Sequence, residues 1–316
     1  MKRHAFLLSI AILAGGLLQA DVTARYHTTM QFSPLIPGMD QAMKGFSSAM
    51  PGDTVIRMKG TKGYTRFGRM EAIADYATQR YTVLDPAAKS YATAPMSQAM
   101  DWVNGVIPDL PPNAAQALES LKATFTSSKT GRMETILGIQ AEETEGTLAI
   151  EGPALPGATQ SGPLISIVMH IWTARPDEVL RVAPLRELTG YTQFSANLFN
   201  TGEVMKKLMG KIPGFGQGMD SIFEQIQKNK SVALRTQMEM RMPMMAQLAQ
   251  QMAKSGQTLP AGVDPNGPLM QMTQELVELS GAPVDDALFQ VPEGFHEASL
   301  PDLLKTVITP PAPQPN

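Results

Sequence analysis

Two stretches of the chain alternate apolar and polar residues almost without a break. From Val22 to Phe32 the even positions carry Val22, Ala24, Tyr26, Thr28, Met30 and Phe32, and the odd ones Thr23, Arg25, His27, Thr29 and Gln31. From Ser231 to Met242 the even set is Val232, Leu234, Thr236, Met238, Met240 and Met242, against Ser231, Ala233, Arg235, Gln237, Glu239 and Arg241. A period of two sends successive side chains to opposite faces, so each stretch is predicted as a strand with one buried and one wet face. Shorter strands are predicted over 54–59, 64–69, 72–77, 81–84 and 90–93, then 132–136, 139–144 and 147–151. Gly60-Thr61-Lys62-Gly63 reads as a hairpin turn, and Asp85-Pro86 opens another. Leu164 to Thr173 is apolar and β-branched, which suits a buried strand. Tyr191 to Phe199 also reads as a strand, whereas Leu269 to Leu279 fits helix and strand equally. Pro292 cannot donate to a ladder, so Leu288 to Phe295 is expected at a sheet edge.

Helices are expected between these strands. Ser97 is placed to cap 98–106 and Asn113 to cap 114–124, with Pro108, Pro111 and Pro112 between them. A short helix is favoured over 176–187. Further helices are read at 202–211 and 219–228, split by Pro213-Gly214, and at 244–254 and 300–308. Loops are expected over 33–53, with one helical turn near 40–46, and over 153–163. No internal repeat of fixed period is present. Antiparallel strands with a wet face, and helices grouped between them, point to an α+β fold: a curved antiparallel sheet, or incomplete β-barrel, with helices packed on or inserted across its concave side. The apolar face of such a sheet must be covered by those helices or by a bound apolar ligand.

The first twenty residues change the picture. Lys2 and Arg3 precede an apolar run from Ala5 to Leu18, and Leu18-Gln19-Ala20 leads into the polar Asp21. This is the three-part pattern of a secretory signal peptide, with cleavage expected after Ala20. A membrane anchor is the competing reading, but the run falls short of the roughly 20 residues that cross a bilayer. The expected organisation is a signal peptide over 1–20, one domain over 21–302 and a Pro-rich tail over 303–316. The expected location is a bacterial periplasm or the exterior, with no integral membrane span. Removing residues 1–20 takes away Lys2 and Arg3 and no acid, which moves the formal charge from −3 to −5. A mildly acidic chain without a basic run argues against a nucleic-acid partner. The chain has no Cys, which excludes disulfides, thiolate catalysis and Cys-bound metals. It has 22 Met, a flexible, polarizable residue suited to surfaces that accept varied apolar partners.

Several segments together resemble a known family. They are the strand Asp21 to Phe32 directly after the leader, Ala74-Asp75-Tyr76, Leu84-Asp85-Pro86, Lys89-Ser90-Tyr91, Glu134 to Glu142, and the closing Leu288 to Phe295. As a set they resemble exported bacterial proteins related to the LolA/LolB-like lipoprotein carriers. The resemblance implies an incomplete β-barrel with helices across its open side, holding lipid or acyl chains in an apolar cavity. This chain is much longer than the small carriers, with inserted helices expected near 97–124 and 202–228. No carrier residue aligns with a particular position here, so no residue role is carried over.

Catalytic motifs are missing: there is no G-x-S-x-G and no H-E-x-x-H. His27, His170 and His296 lie far apart in sequence. His27 is expected on a wet face and His170 as a satisfied core residue. The acidic pairs Glu142-Glu143 and Asp285-Asp286 are expected to be solvated. The expectation is therefore a protein without chemistry and without a cofactor, whose partner is an apolar small molecule, lipid or lipoprotein. The candidate cavity residues are Tyr26, Met30, Phe32, Val232, Leu234, Met238, Met240 and Met242. Two alternatives stand beside this reading. One is a Cu(I)-binding protein using Met238-x-Met240-x-Met242, since thioethers are soft ligands. The other is a structural envelope protein.

Overall fold

The computed structural model describes residues 21–33, 52–98, 116, 118–152, 163–199, 212–215, 231–243, 264 and 267–303, with the side chains of 192–199 excepted. The leader, the loops expected at 33–53 and 153–163 apart from their ends, the helix expected at 98–106 apart from Gln98, which is helical, the helices expected at 202–211, 219–228 and 244–254, and the tail from 304 onward lie outside the described residues. The rest builds one curved sheet that does not close on itself. Its strands are β1 (Val22–Phe32), β2 (Asp53–Lys59), β3 (Lys62–Phe67), β4 (Met70–Asp75), β5 (Arg80–Asp85), β6 (Ser90–Pro95), β7 (Lys122–Ile136), β8 (Ile139–Glu151), β9 (Ile165–Ala174), β10 (Ala233–Arg241), β11 (Met270–Ser280) and β12 (His296–Glu297). They lie in the order β12-β6-β5-β4-β3-β2-β1-β11-β10-β9-β8-β7. Every pairing is antiparallel except β12 with β6.

The two alternating stretches are β1 and β10, and they are not neighbours. Each pairs with one side of β11, so the segment that fitted two readings is the strand that joins them. Its own Met270-x-Met272 spacing is the period-two signal that the helix alternative obscured.

Two helices follow β9: α1 (Pro176–Arg181) and α2 (Ala183–Phe199). The strand expected at Tyr191 to Phe199 is therefore helix. Leu185 and Leu188, three residues apart and fully buried, set a helical face, and the Thr189 hydroxyl donates to the Leu185 carbonyl one turn back at 2.8 Å. The single helix expected over 176–187 is interrupted at Val182, whose backbone is extended. The helix expected over 114–124 is also shorter. Residues 118–119 are helical, but β7 begins at Lys122, where the β-branched alternation of Thr124-Phe125-Thr126 wins.

The main core joins α2 to the sheet. Leu185 and Leu188 pack with Val22, Ala24 and Tyr26 of β1, Leu276 of β11, and Val232 and Leu234. Farther along the helix, the hydroxyls of Tyr191 and Thr65 of β3 lie 2.9 Å apart. Thr65 shares a cross-strand rung with Ile56, Ala24, Ala72 and Val83, so α2 lies on the face carrying the even positions of β1.

The chain end clasps the other half of the sheet. Val284, Leu288, Phe289 and Phe295 cover Tyr64, Ile73, Leu84 and Tyr91, while Leu300 and Leu303 cover Val83 and Ala92. Val83 and Leu84 are sequential in β5 and so face opposite ways. The segment passes from one face to the other around the β6 edge, where β12 adds a short parallel strand. The edge strand expected at 288–295 is thus displaced to His296–Glu297. Before it, 286–289 forms a 3-10 turn capped by Asp285, whose carboxylate accepts from Ala287 N at 3.0 Å.

Candidate functional site

Residues directly opposite each other in an antiparallel pair lie on the same face. The registers therefore assemble rungs that run across the sheet on the α2 side. One rung is Met30 of β1, Met272 of β11, Met238 of β10 and Met169 of β9. The next is Phe32, Met270, Met240 and Ile167, continuing to Leu148 of β8. Gly146 of β8 continues the first rung, with Ser127 of β7 beyond it. A Cβ on Gly146 would come within 3.3 Å of the Phe125 ring and 3.7 Å of Met169 Cε, so the absence of a side chain lets both close over the strand. The methionines of these rungs, Phe32 and Ile167 are all half-buried.

The alternation expected over 231–242 is broken at Leu234, where the register of β10 against β9 shifts between Ala233 and Arg235, and the candidate cavity residues divide between two places. Tyr26, Val232 and Leu234 belong to the core under α2, and the Tyr26 hydroxyl donates to the Ala233 carbonyl at 3.2 Å. Burial pushes the Tyr26 phenol well above its usual range. Their surface is filled by the protein's own helix. Met30, Phe32, Met238 and Met240 come together in the two rungs, and Met242 sits just past the end of β10. Met169, Met270 and Met272 join the same surface and were missed in the sequence, because β9 reads as uniformly apolar and β11 as ambiguous. An open depression of about 400 Å³ lies elsewhere, between the Leu137-Gly138 turn, Val182 and Pro184 before and within α2, and Leu279; it contains none of the candidates.

The opposite face carries charge. A rung there runs Asp53, His27, Glu275, Arg235, Trp172 and Glu143 across β2, β1, β11, β10, β9 and β8. His27 Nδ1 lies 2.7 Å from Asp53, and this hydrogen bond holds the Asp53 carboxyl below its ordinary value. Arg235 donates to Glu275 at 2.8 Å and to Glu134 at 2.6 Å, and its guanidinium stands 5.5 Å over the Trp172 ring.

Glu143 corrects an expectation: it is not solvated but wholly buried. Its carboxylate accepts from Thr130 Oγ1 at 2.5 Å, Arg132 Nη2 at 2.7 Å and His170 Nδ1 at 2.9 Å. The bulge at Gly131, which has φ +76°, brings Thr130 and Arg132 to the same carboxylate. Loss of water pushes the Glu143 carboxyl up, but the donors from Thr130, Arg132 and His170 outweigh it and leave it below its ordinary value. His170 is the satisfied histidine expected, although it keeps 24 % of its side chain exposed. Asp285 and Asp286 are exposed as expected, with Lys59 at 2.9 Å from Asp286. Three donors converge on the one buried carboxylate, which is the arrangement of a structural pin.

No protein-family model and no curated protein matches this chain. Among the described residues no helix is long and apolar enough to cross a membrane.

Proposed function

We propose that this chain is a binding or carrier protein for an apolar ligand, such as a lipid, an acyl chain or a lipoprotein anchor, and that it performs no chemistry of its own. It acts in the periplasm or outside the cell after loss of residues 1–20, and its helices lie across the concave side of the sheet. The observation that carries this reading is the pair of rungs Met30-Met272-Met238-Met169 and Phe32-Met270-Met240-Ile167, apolar throughout and half-buried, beside a core that α2 already seals. Such a surface gains free energy by excluding water around a hydrocarbon chain, and thioether side chains adapt to chains of different shape.

The test changes the charge on each face of β10 in turn. Met240→Asp puts a charge among apolar neighbours, where lost hydration costs several kcal/mol unless it is paired. Glu239→Gln changes the opposite face, where the carboxylate meets Arg241 at 2.7 Å and Gln271 at 3.1 Å. Fluorescence of an apolar dye and binding of a fatty acid should be lost in Met240→Asp and retained in Glu239→Gln. Equal binding by both variants refutes the carrier reading.

A further inference from the structure

Met238, Met240, Met270 and Met272 form a closed rectangle. Met238 is opposite Met272 and Met240 is opposite Met270, on the adjacent strands β10 and β11. Opposite Cβ atoms in such a pair are about 4.5–5.5 Å apart, and residues two apart along a strand are about 7 Å apart. A methionine sulfur stands two bonds beyond its Cβ, so side chains at the four corners can converge on one point above the sheet. Met30 and Met169 extend the first rung on either side. The two rungs contain no carboxylate and no imidazole. The next rung toward α2 is Thr28, Gln274, Thr236 and Ile171, which is neutral as well.

We propose that Met238, Met240, Met270 and Met272, flanked by Met30 and Met169, form an all-thioether site for a soft monovalent cation, Cu(I), for which Ag(I) is a stable surrogate. Soft ligands select soft ions, and a site with no anionic oxygen gives nothing to Mg²⁺, Ca²⁺ or Mn²⁺. Neutral ligands also favour a single positive charge, because a divalent ion would leave more uncompensated charge beside an apolar surface. A thioether does not take up a proton in the ordinary pH range, so no proton competes with the metal. Sites built from His, Cys or carboxylate do lose metal as the pH falls. This inference does not rest on the carrier reading, because it needs sulfur where that reading needs only apolar volume.

The experiment titrates the folded protein with Ag(I) by calorimetry, and with Cu(I) anaerobically in competition with a chromophoric chelator, at pH 7 and pH 5. The expected result is binding of one ion with the same affinity at both pH values and a copper X-ray absorption first shell of sulfur alone. Replacing all four corner methionines by Leu should abolish it, while Met133→Leu, on the exposed part of β7, should leave it unchanged. Methyl-labelled methionine NMR on the wild type covers the case in which the fourfold variant does not fold: Ag(I) should shift the corner methyls and not that of Met133. No uptake by the wild type, retained uptake by a folded fourfold variant, a nitrogen or oxygen shell, or loss of the ion at pH 5 each overturns the proposal. Apolar-dye binding is read on the same samples. Dye bound by the fourfold variant without metal leaves the carrier reading standing, and dye binding without any metal uptake by the wild type refutes the cation site alone.

Discussion

Leu276 and Met272 lie four residues apart on β11, on the same face of the same strand, in two different environments. Leu276 is fully buried, with Val22, Ala24, Tyr26, Leu234 and the α2 residues Leu185 and Leu188 around it. Met272 is half-buried, with Met30 and Met238 opposite it on either side. The strand keeps one period from Met272 to Leu276 and is bulged only beyond Leu276, where Arg25 pairs with Glu278 and Tyr26 with Leu276, so both side chains point to the same face. The side-chain types and the covering element do. Where a helix of fixed shape is the partner, the sheet presents Val, Ala and Leu, whose few rotamers define one packing. In the rungs beyond that core it presents methionine, whose three soft torsions define none.

The largest difference between the two ends should appear on truncation. Leu276→Ala removes a side chain from a closed core and should cost about 2–5 kcal/mol, because the cavity adds to the lost transfer energy. Met272→Ala gives up only part of a half-exposed side chain and should cost about 1 kcal/mol. Urea denaturation of both variants measures the two costs. Equal values would mean that a single core runs the whole length of the face.

A smaller effect belongs to the charged face behind both regions. Glu143→Gln removes a buried carboxylate but keeps its shape, and should cost about 1–3 kcal/mol by leaving the donors of Thr130, Arg132 and His170 poorly matched. The folded-state pKa of Glu143 lies below its unfolded value, so the ionised form stabilises the fold. That contribution is complete above the unfolded value, about 4.3, and is lost as the pH falls from there through the folded value. The variant should therefore lose less stability than the wild type between pH 5 and pH 3. Parallel stability profiles across that window would show that Glu143 is not held ionised by its neighbours.

The sheet was legible from the sequence because its strands alternate, and the alternation of β1 survives in the structure residue by residue: Val22, Ala24 and Tyr26 buried, His27, Thr29 and Gln31 exposed. Its topology was not, because nothing local in Ser231 to Met242 says that its partner is Met270 to Ser280 and not β1. Glu143 was misread for a similar reason. Adjacent acids look solvated in sequence, and only the pairing of β7 with β8, with its bulge at Gly131, brings an arginine and a threonine to one of them. Tyr191 to Phe199 was misread because it continues a helix whose buried anchors, Leu185 and Leu188, precede it. Half of the methionine surface was visible in β1 and β10; the other half needed the registers of β11 and β9.

The finest contrast comes from exchanging the two residue types between the two ends of β11. Leu276→Met puts a flexible side chain of similar volume into a site shaped for a branched one. The change keeps the apolar area but requires ordering of additional torsions against Leu185, Leu188 and Leu234, so it should cost about 1 kcal/mol. Met272→Leu is the reverse change at a half-buried position with no single packing to disturb, and should alter stability by less than about 0.5 kcal/mol. Its effect should appear in selectivity: a stiffer surface should narrow the range of acyl-chain lengths bound, while Leu276→Met leaves that range unchanged. Thermal melts and a chain-length series of fatty acids on both variants measure the two outcomes together. If Met272→Leu destabilises as much as Leu276→Met and leaves the chain-length range as it was, methionine at this end of β11 is ordinary core, and the division of the face into a sealed end and an adaptable one is wrong.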